Sequence, residues 1–225
     1  MSAIALTQQD ITRWIARSPA GSSQIWHNIE WTDFHRLLEH LGEVRSSRVA
    51  YDRGTLEIIM PSQEHEFLCR IIGVLIWELA DALELDCLSL GSTTWKQQAA
   101  AVGIEPDDCF YLQSEPQIRD RVPNIDLNAG DPPPDLALEI DITSKSVDRQ
   151  QIYARLGVPE VWRYDEKWLY IYHLRSGSYI QSDRSLAFPN FPVLEIPNFV
   201  AQNHSLGSRA WRKAFRQWVS ETEGK

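Results

Sequence analysis

Residues 104–112, IEPDDCFYL, and residues 132–143, PPPDLALEIDIT, decide how this chain is read. Each passes from proline through aspartate into an apolar run. The second run carries Glu139 and Asp141 where a sheet strand should be oily. Side chains alternate between the two faces of a strand. Leu136, Leu138, Ile140 and Ile142 therefore share an aliphatic face, while Asp135, Ala137, Glu139 and Asp141 share an acidic one. Unpaired carboxylates are costly in dry core. That face must meet water at the rim of a sheet, or hold something cationic. Carboxylates gathered at strand ends, with Asp107 opening the first run, suit Mg2+. This ion takes oxygen ligands and needs only one or two protein carboxylates beside a substrate phosphate. It lowers the pKa of a bound water and offsets charge building on a phosphate. The competing reading is structural: the acids cap strands, pair with arginines or line a solvated face.

Around these two runs the chain punctuates itself clearly. Residues 7–17 suit a short helix before the loop-like SPAGSS. In WTDFHRLLEHLG, Thr32 is a candidate N-cap, Phe34, Leu37, Leu38 and Leu41 share a helical face, and Gly42 closes the helix. SRVAYDRGTLEIIMP reads as a hairpin about Asp52-Arg53-Gly54. Between Glu64 and Leu85 the apolar residues, starting at Phe67 and Leu68, keep one stripe. Ser62 caps that helix, and Glu64 and Glu66 sit in its first turn, where the helix dipole favours acids. Short strands are expected near 86–90 and 92–97. SVDRQQIYARLGVPEVWRYD then predicts helix, turn and strand, with Gly157 ending the helix. WLYIYHL and GSYIQSD form a last hairpin, and 206–222 an amphipathic helix.

The whole is 225 residues with a net charge of −9, a size for one domain with short extensions. The acidity argues against nonspecific coating of nucleic acid, though not against a local basic groove. Cys69, Cys87 and Cys109 are widely spaced, as in reduced thiols of a cytosolic protein. No signal peptide is evident, and no apolar run is long enough to span a bilayer, so a cytoplasmic protein without membrane attachment is expected.

The pattern EPDxxFYL, then PPDLxxEIxxxS, then YARLGVPEVWRYD, resembles the Uma-type family of bacterial putative restriction endonucleases, within the PD-(D/E)XK nuclease superfamily. YDRGTLEIIMPSQEHE is similar to that family's first hairpin and the entry to its long helix. The likeness spans about Trp31 to Leu174. It implies an α/β (mixed α+β) restriction-endonuclease-like core, a central mixed sheet flanked by helices, over residues 31–184. Residues 1–30 would be an N-terminal extension, and 185–225 a C-terminal extension carrying the amphipathic helix.

The resemblance further implies an Mg2+-dependent or Mn2+-dependent DNA endonuclease. Asp107 and Glu139 would be catalytic and metal-ligating, with Glu64 a third metal ligand from the long helix. The superfamily's lysine is replaced by Asp141, and the family places its lysine four residues before the tyrosine, which is Arg149 here. Arginine keeps the charge but cannot serve as a general base. Lys145 is the nearby substitute. His65, Glu66, Asp135 and Asp141 are candidates for a supporting shell. Trp162, Tyr164, Trp168, Tyr170 and Tyr172 could stack on bases or pack together. A homodimer would supply two sites for two strands. Two other readings stand beside this one: an inactive nuclease fold kept as a binding or assembly module, and a metal-dependent phosphoesterase on another nucleic acid.

Overall fold

The computed structural model describes residues 8–42, 46–142 and 147–223. Its first half runs α1 (Gln8–Arg17), β1 (Ser23–Trp26), α2 (Trp31–Leu41), β2 (Arg48–Asp52), β3 (Thr55–Ile59), α3 (Gln63–Ala82), β4 (Leu88–Ser89), β5 (Trp95–Gln97) and β6 (Val102–Ile104). The second half runs β7 (Asp108–Tyr111), α4 (Glu115–Ile118), β8 (Leu136–Ile140), α5 (Arg149–Leu156), β9 (Glu160–Tyr164), β10 (Leu169–Arg175), β11 (Ser178–Ser182), α6 (Ile196–Asn203) and α7 (Ser208–Glu223).

Two sheets result. The first, ordered β1-β3-β2-β6-β5, is antiparallel throughout. Its β2–β3 hairpin closes through Arg53 and Gly54, at φ 44° and 96°, and pairs Asp52 with Thr55. Positive φ at both central residues matches the right-handed twist of the strands, which is why a glycine stands there. The second sheet, ordered β11-β10-β9-β8-β7-β4, is mixed: β8 and β9 are parallel and every other pair is antiparallel. A parallel pair needs a crossover, and α5 supplies it. The fold is thus the expected mixed α/β arrangement, with a central mixed sheet flanked by helices.

Helix α3 begins at the expected cap: the Ser62 hydroxyl accepts the His65 N–H at 3.1 Å. Its apolar stripe, including Leu68, Ile72, Leu75, Ile76 and Leu79, packs on Leu136, Leu138 and Ile140 of β8. Phe67 departs from the stripe and is 61% exposed. In α2 the cap position is Glu30 rather than Thr32, with no side-chain cap bond; Phe34, Leu37 and Leu38 are buried as expected. Strand β6, flanked by β2 and β5, has no sequence expectation behind it. Three residues, one of them Gly103, are too few to show a period.

Residues 185–225, set apart above as an extension, share the main core in their described part. Phe188, Phe191, Val193, Phe199, Phe215 and Val219 pack with α3 and the second sheet. Glu160, fully buried, accepts bonds from the Ser185 hydroxyl at 2.7 Å and the Ala187 N–H at 3.1 Å, and also from the Leu186 N–H and the Trp162 indole. Glu78 on α3 receives Arg212 at 2.9 Å and Arg216 from α7. The amphipathic pattern of the tail was readable; its docking partner was not. Replacing Phe215, fully buried, by alanine should cost about 3–5 kcal/mol in denaturant unfolding. Leu206→Ala, at a position 42% exposed, should change stability by less than about 0.5 kcal/mol.

Candidate active site

Strand β8 is buried on both faces, which explains its near-continuous apolar character. Leu136, Leu138 and Ile140 face α3, while Ala137 joins the core between the two sheets with Cys109, Tyr111, Ile152 and Tyr153. Glu139 points into this second layer and is 2% exposed. Its face is therefore not solvated, and the cation foreseen as the other possibility is a side chain. Arg149, the first residue of α5, places Nη1 3.1 Å from Oε1 and 3.0 Å from Oε2 of Glu139. The Tyr153 hydroxyl, one helical turn on, donates to Glu139 Oε1. Residues i and i+4 share a helix face, so one face of α5 grips one carboxylate.

Asp107 reaches the same place from the neighbouring strand. Strands β7 and β8 pair Asp108 with Leu138, so the next step of the register sets Asp107 beside Glu139. Asp107 Oδ2 accepts the Ile140 N–H at 2.7 Å and lies 3.0 Å from His65 Nε2. His65 comes from the first turn of α3, held there by the Ser62 cap. Below it, the Cys69 thiol donates to the Asp107 carbonyl at 3.2 Å.

A further acid belongs to this layer. Glu57 of β3 is fully buried and close enough to act electrostatically on Arg149. Burial alone would depress the guanidinium, but Glu139, Asp107, Tyr153 and Glu57 together hold it above its ordinary range. The same burial pushes the Tyr153 hydroxyl well up, with Glu139 adding to the shift and Arg149 opposing it. Glu57 was not singled out from the sequence. The signal was available, since TLEII sets an acid inside an apolar strand just as LALEI does.

The other described candidates have partners of their own. Glu64 is exposed on α3 and faces Glu166 in the β9–β10 turn, where burial first and then Glu64 raise the Glu166 pKa. Glu66 pairs with Arg48 at 3.2 Å. Asp135 sits at the opposite end of β8 from Glu139. Its carboxylate receives the N–H groups of Leu112 and Ser114 at 2.7 and 2.8 Å and the Ser114 hydroxyl at 2.8 Å, which ties down the loop after β7. Asp141 pairs with Arg163 of β9. Lys145 lies outside the described residues. Of the aromatic cluster, Trp162 and Tyr164 are core residues and only Trp168 is largely exposed, so the cluster is not one stacking surface.

Two carboxylates from neighbouring strand ends are hard oxygen donors of the kind Mg2+ and Mn2+ take. Among the described residues, two buried nitrogens of the site, His65 Nδ1 and Arg149 Nε, have no hydrogen-bond partner, and such atoms in a buried site call for an explanation. Among the described residues no three His, Cys, Asp or Glu side chains are grouped to hold a metal ion. The donor chemistry fits a divalent ion at Asp107 and Glu139; the guanidinium already lying on Glu139 is what such an ion would have to displace.

Comparison with known proteins places these features in context. The Uma2 family, described as putative restriction endonuclease, matches residues 31–203. No curated protein is similar enough to count as a match. A crystal structure of a putative nuclease belonging to DUF820 from Anabaena variabilis is similar over 85% of this chain and 99% of its own, at 17% identity and a TM-score of 0.47. No helix among the described residues is long and apolar enough to cross a membrane.

Asp108, beside Asp107, points the other way. Its carboxylate accepts the Ser89 hydroxyl at 2.7 Å and the Cys109 N–H at 2.8 Å. It also lies so close to Gly73 of α3 that a Cβ there would come within 2.9 Å of it. Burial raises its pKa, and the two hydrogen bonds offset this only in part. A carboxyl whose folded pKa is raised adds stability at low pH and loses it as pH rises through the folded value. Asp108→Asn should therefore gain on wild type in melting temperature as pH rises from the ordinary carboxylate range toward neutrality. A pH-independent difference would show that the aspartate does not titrate on folding.

Proposed function

We propose that the chain, which belongs to the Uma2 family described as putative restriction endonuclease, hydrolyses DNA phosphodiester bonds with Mg2+ or Mn2+ held by Asp107 and Glu139. Family membership supports the nuclease role. The observation that carries the site assignment is the convergence of Asp107 and Glu139, from adjoining strand ends, on the buried guanidinium of Arg149. When bound, the ion supplies a water of lowered pKa and charge to offset that on the phosphate.

The residues of the chain divide the remaining work. His65 and the Ile140 N–H orient Asp107 through Oδ2. Tyr153 orients Glu139. Arg149 stays protonated, so it is not a general base; its planar fork suits a phosphate, which it would anchor as charge builds there. All of these side chains are buried, so a phosphodiester would reach them only if the packing around them opens. Cutting both strands of a duplex usually uses two sites, and a two-fold homodimer would provide them. DNA as substrate also accords with a cytoplasmic location.

One observation favours a second reading, a nuclease fold kept as a binding module: the carboxylates are closed from solvent and neutralised from within. A single assay separates the two. Purified protein with Mg2+ or Mn2+ should nick supercoiled plasmid, and Asp107→Asn and Glu139→Gln should each lower the rate by at least about 100-fold. Undiminished cutting by both variants would place the chemistry elsewhere. Cutting of single-stranded RNA alone would make the chain a phosphoesterase of different substrate. A wild type inert on both supports the module.

A further inference from the structure

We infer that Arg149 is a resident cation of the carboxylate site, the one seen among the described residues, and that it competes with a divalent metal ion for Glu139. The inference rests on the site assigned above and concerns how that site is occupied and regulated.

Geometry is the first support. A single nitrogen, Arg149 Nη1, lies on both oxygens of Glu139, at 3.1 and 3.0 Å. A metal ion ligated by either oxygen would share that carboxylate with a positive charge in contact, and like charges at such range repel strongly in a dry layer. The place of Arg149 in the chain is the second support. It opens α5, where the helix dipole is positive and acids, not bases, are favoured. The helix gives no reason for a cation there. The three acids around it do: Glu139 in contact, with Asp107 and Glu57 acting at longer range. Thirdly, Arg149 is 7% exposed and its Nε has no hydrogen-bond partner among the described residues. The fork is thus used at one end only, which leaves donors for a phosphate. Substrate phosphate would draw the guanidinium off Glu139 and admit the metal ion to the oxygens it vacates. Metal and nucleic acid would then bind cooperatively, each lowering the cost of the other.

Mn2+ binding, without any cleavage, tests this. Titration calorimetry and thermal melting would compare wild type with Arg149→Gln, alone and combined with Glu139→Gln. Arg149→Gln should bind Mn2+ at least about tenfold more tightly than wild type, and its melting temperature should rise more on adding Mn2+. Glu139→Gln should remove that gain. If Arg149→Gln does not fold alone, Mn2+ should restore the fold, because the ion replaces the missing charge. Equal Mn2+ affinity in wild type and variant, a gain that survives Glu139→Gln, or failure of millimolar Mn2+ to restore an unfolded variant would each overturn the inference. Its failure is separable from that of the nuclease reading. Metal-dependent cleavage by wild type with no gain in the variant sinks the competition alone. A gain in affinity in a protein that never cuts sinks the nuclease reading alone.

Discussion

The contact between Arg149 and Glu139 is the constraint around which the centre of this protein is arranged. Neither charge belongs in the layer where it lies. Bringing an isolated ion into such a layer costs several kcal/mol, and leaving one partner unpaired costs about 3–5 kcal/mol. The two are tolerable only together, and only if further groups complete their bonding. Tyr153 does so for Glu139, while Asp107 and Glu57 reinforce the guanidinium from other strands. Strands β3, β7 and β8 and helix α5 are thereby bound to one another through charge as well as through apolar packing. A buried ion pair of this kind is a poor source of net stability. It is a strong selector of one arrangement, because a slip of one residue in β8 would turn Glu139 into the apolar layer beneath α3.

The two layers on either side of the second sheet differ in what they ask of the sequence. On the α3 side the demands are mainly apolar, with Asp108 and Glu160 as hydrogen-bonded exceptions, and α6, α7 and residues 187–193 complete a large hydrocarbon core. On the α5 side the demands are mixed. Aliphatic and aromatic residues surround a polar centre that has its own hydrogen-bond order. This division puts a site of convergent carboxylates inside the protein and not on its rim. It also ties the site to α5, whose first residue carries the guanidinium and whose fifth is the tyrosine.

Much of the fold could be read directly. The DRG turn, the Ser62 cap, the terminations at Gly42 and Gly157 and the alternation in LALEI all rest on local physics, and each has its counterpart in the structure. The local signals were weaker where an element is short or where a residue answers to a distant partner. Strand β6 exists because β2 and β5 flank it. Phe67 satisfies a helical stripe and still faces outward. Trp162 and Tyr164 alternate as a stacking surface would, yet the sheet turns them into the core. For the site, the chain showed that Glu139 lies on an acid-bearing face and that Asp107 opens a neighbouring strand. It did not show that Asp135 is consumed by the Leu112–Ser114 loop, that Glu64 faces Glu166, or that Glu57 joins the centre from the other sheet.

What the sequence determined by itself was therefore the set of elements and the sidedness of each. Turn chemistry, capping and periodicity act over a few residues and need no partner to be felt. It also determined which residues would be expensive to bury, since an acid within an apolar strand demands an explanation wherever the strand goes. The tertiary structure alone decided what answers that demand. Arg149 is ten residues from Glu139 along the chain, and Glu57 is more than eighty; only the crossover through α5 and the packing of the first sheet against it bring them together. Charge interactions in a dry layer depend steeply on distance and on solvent exclusion, and neither quantity exists until the layers have closed.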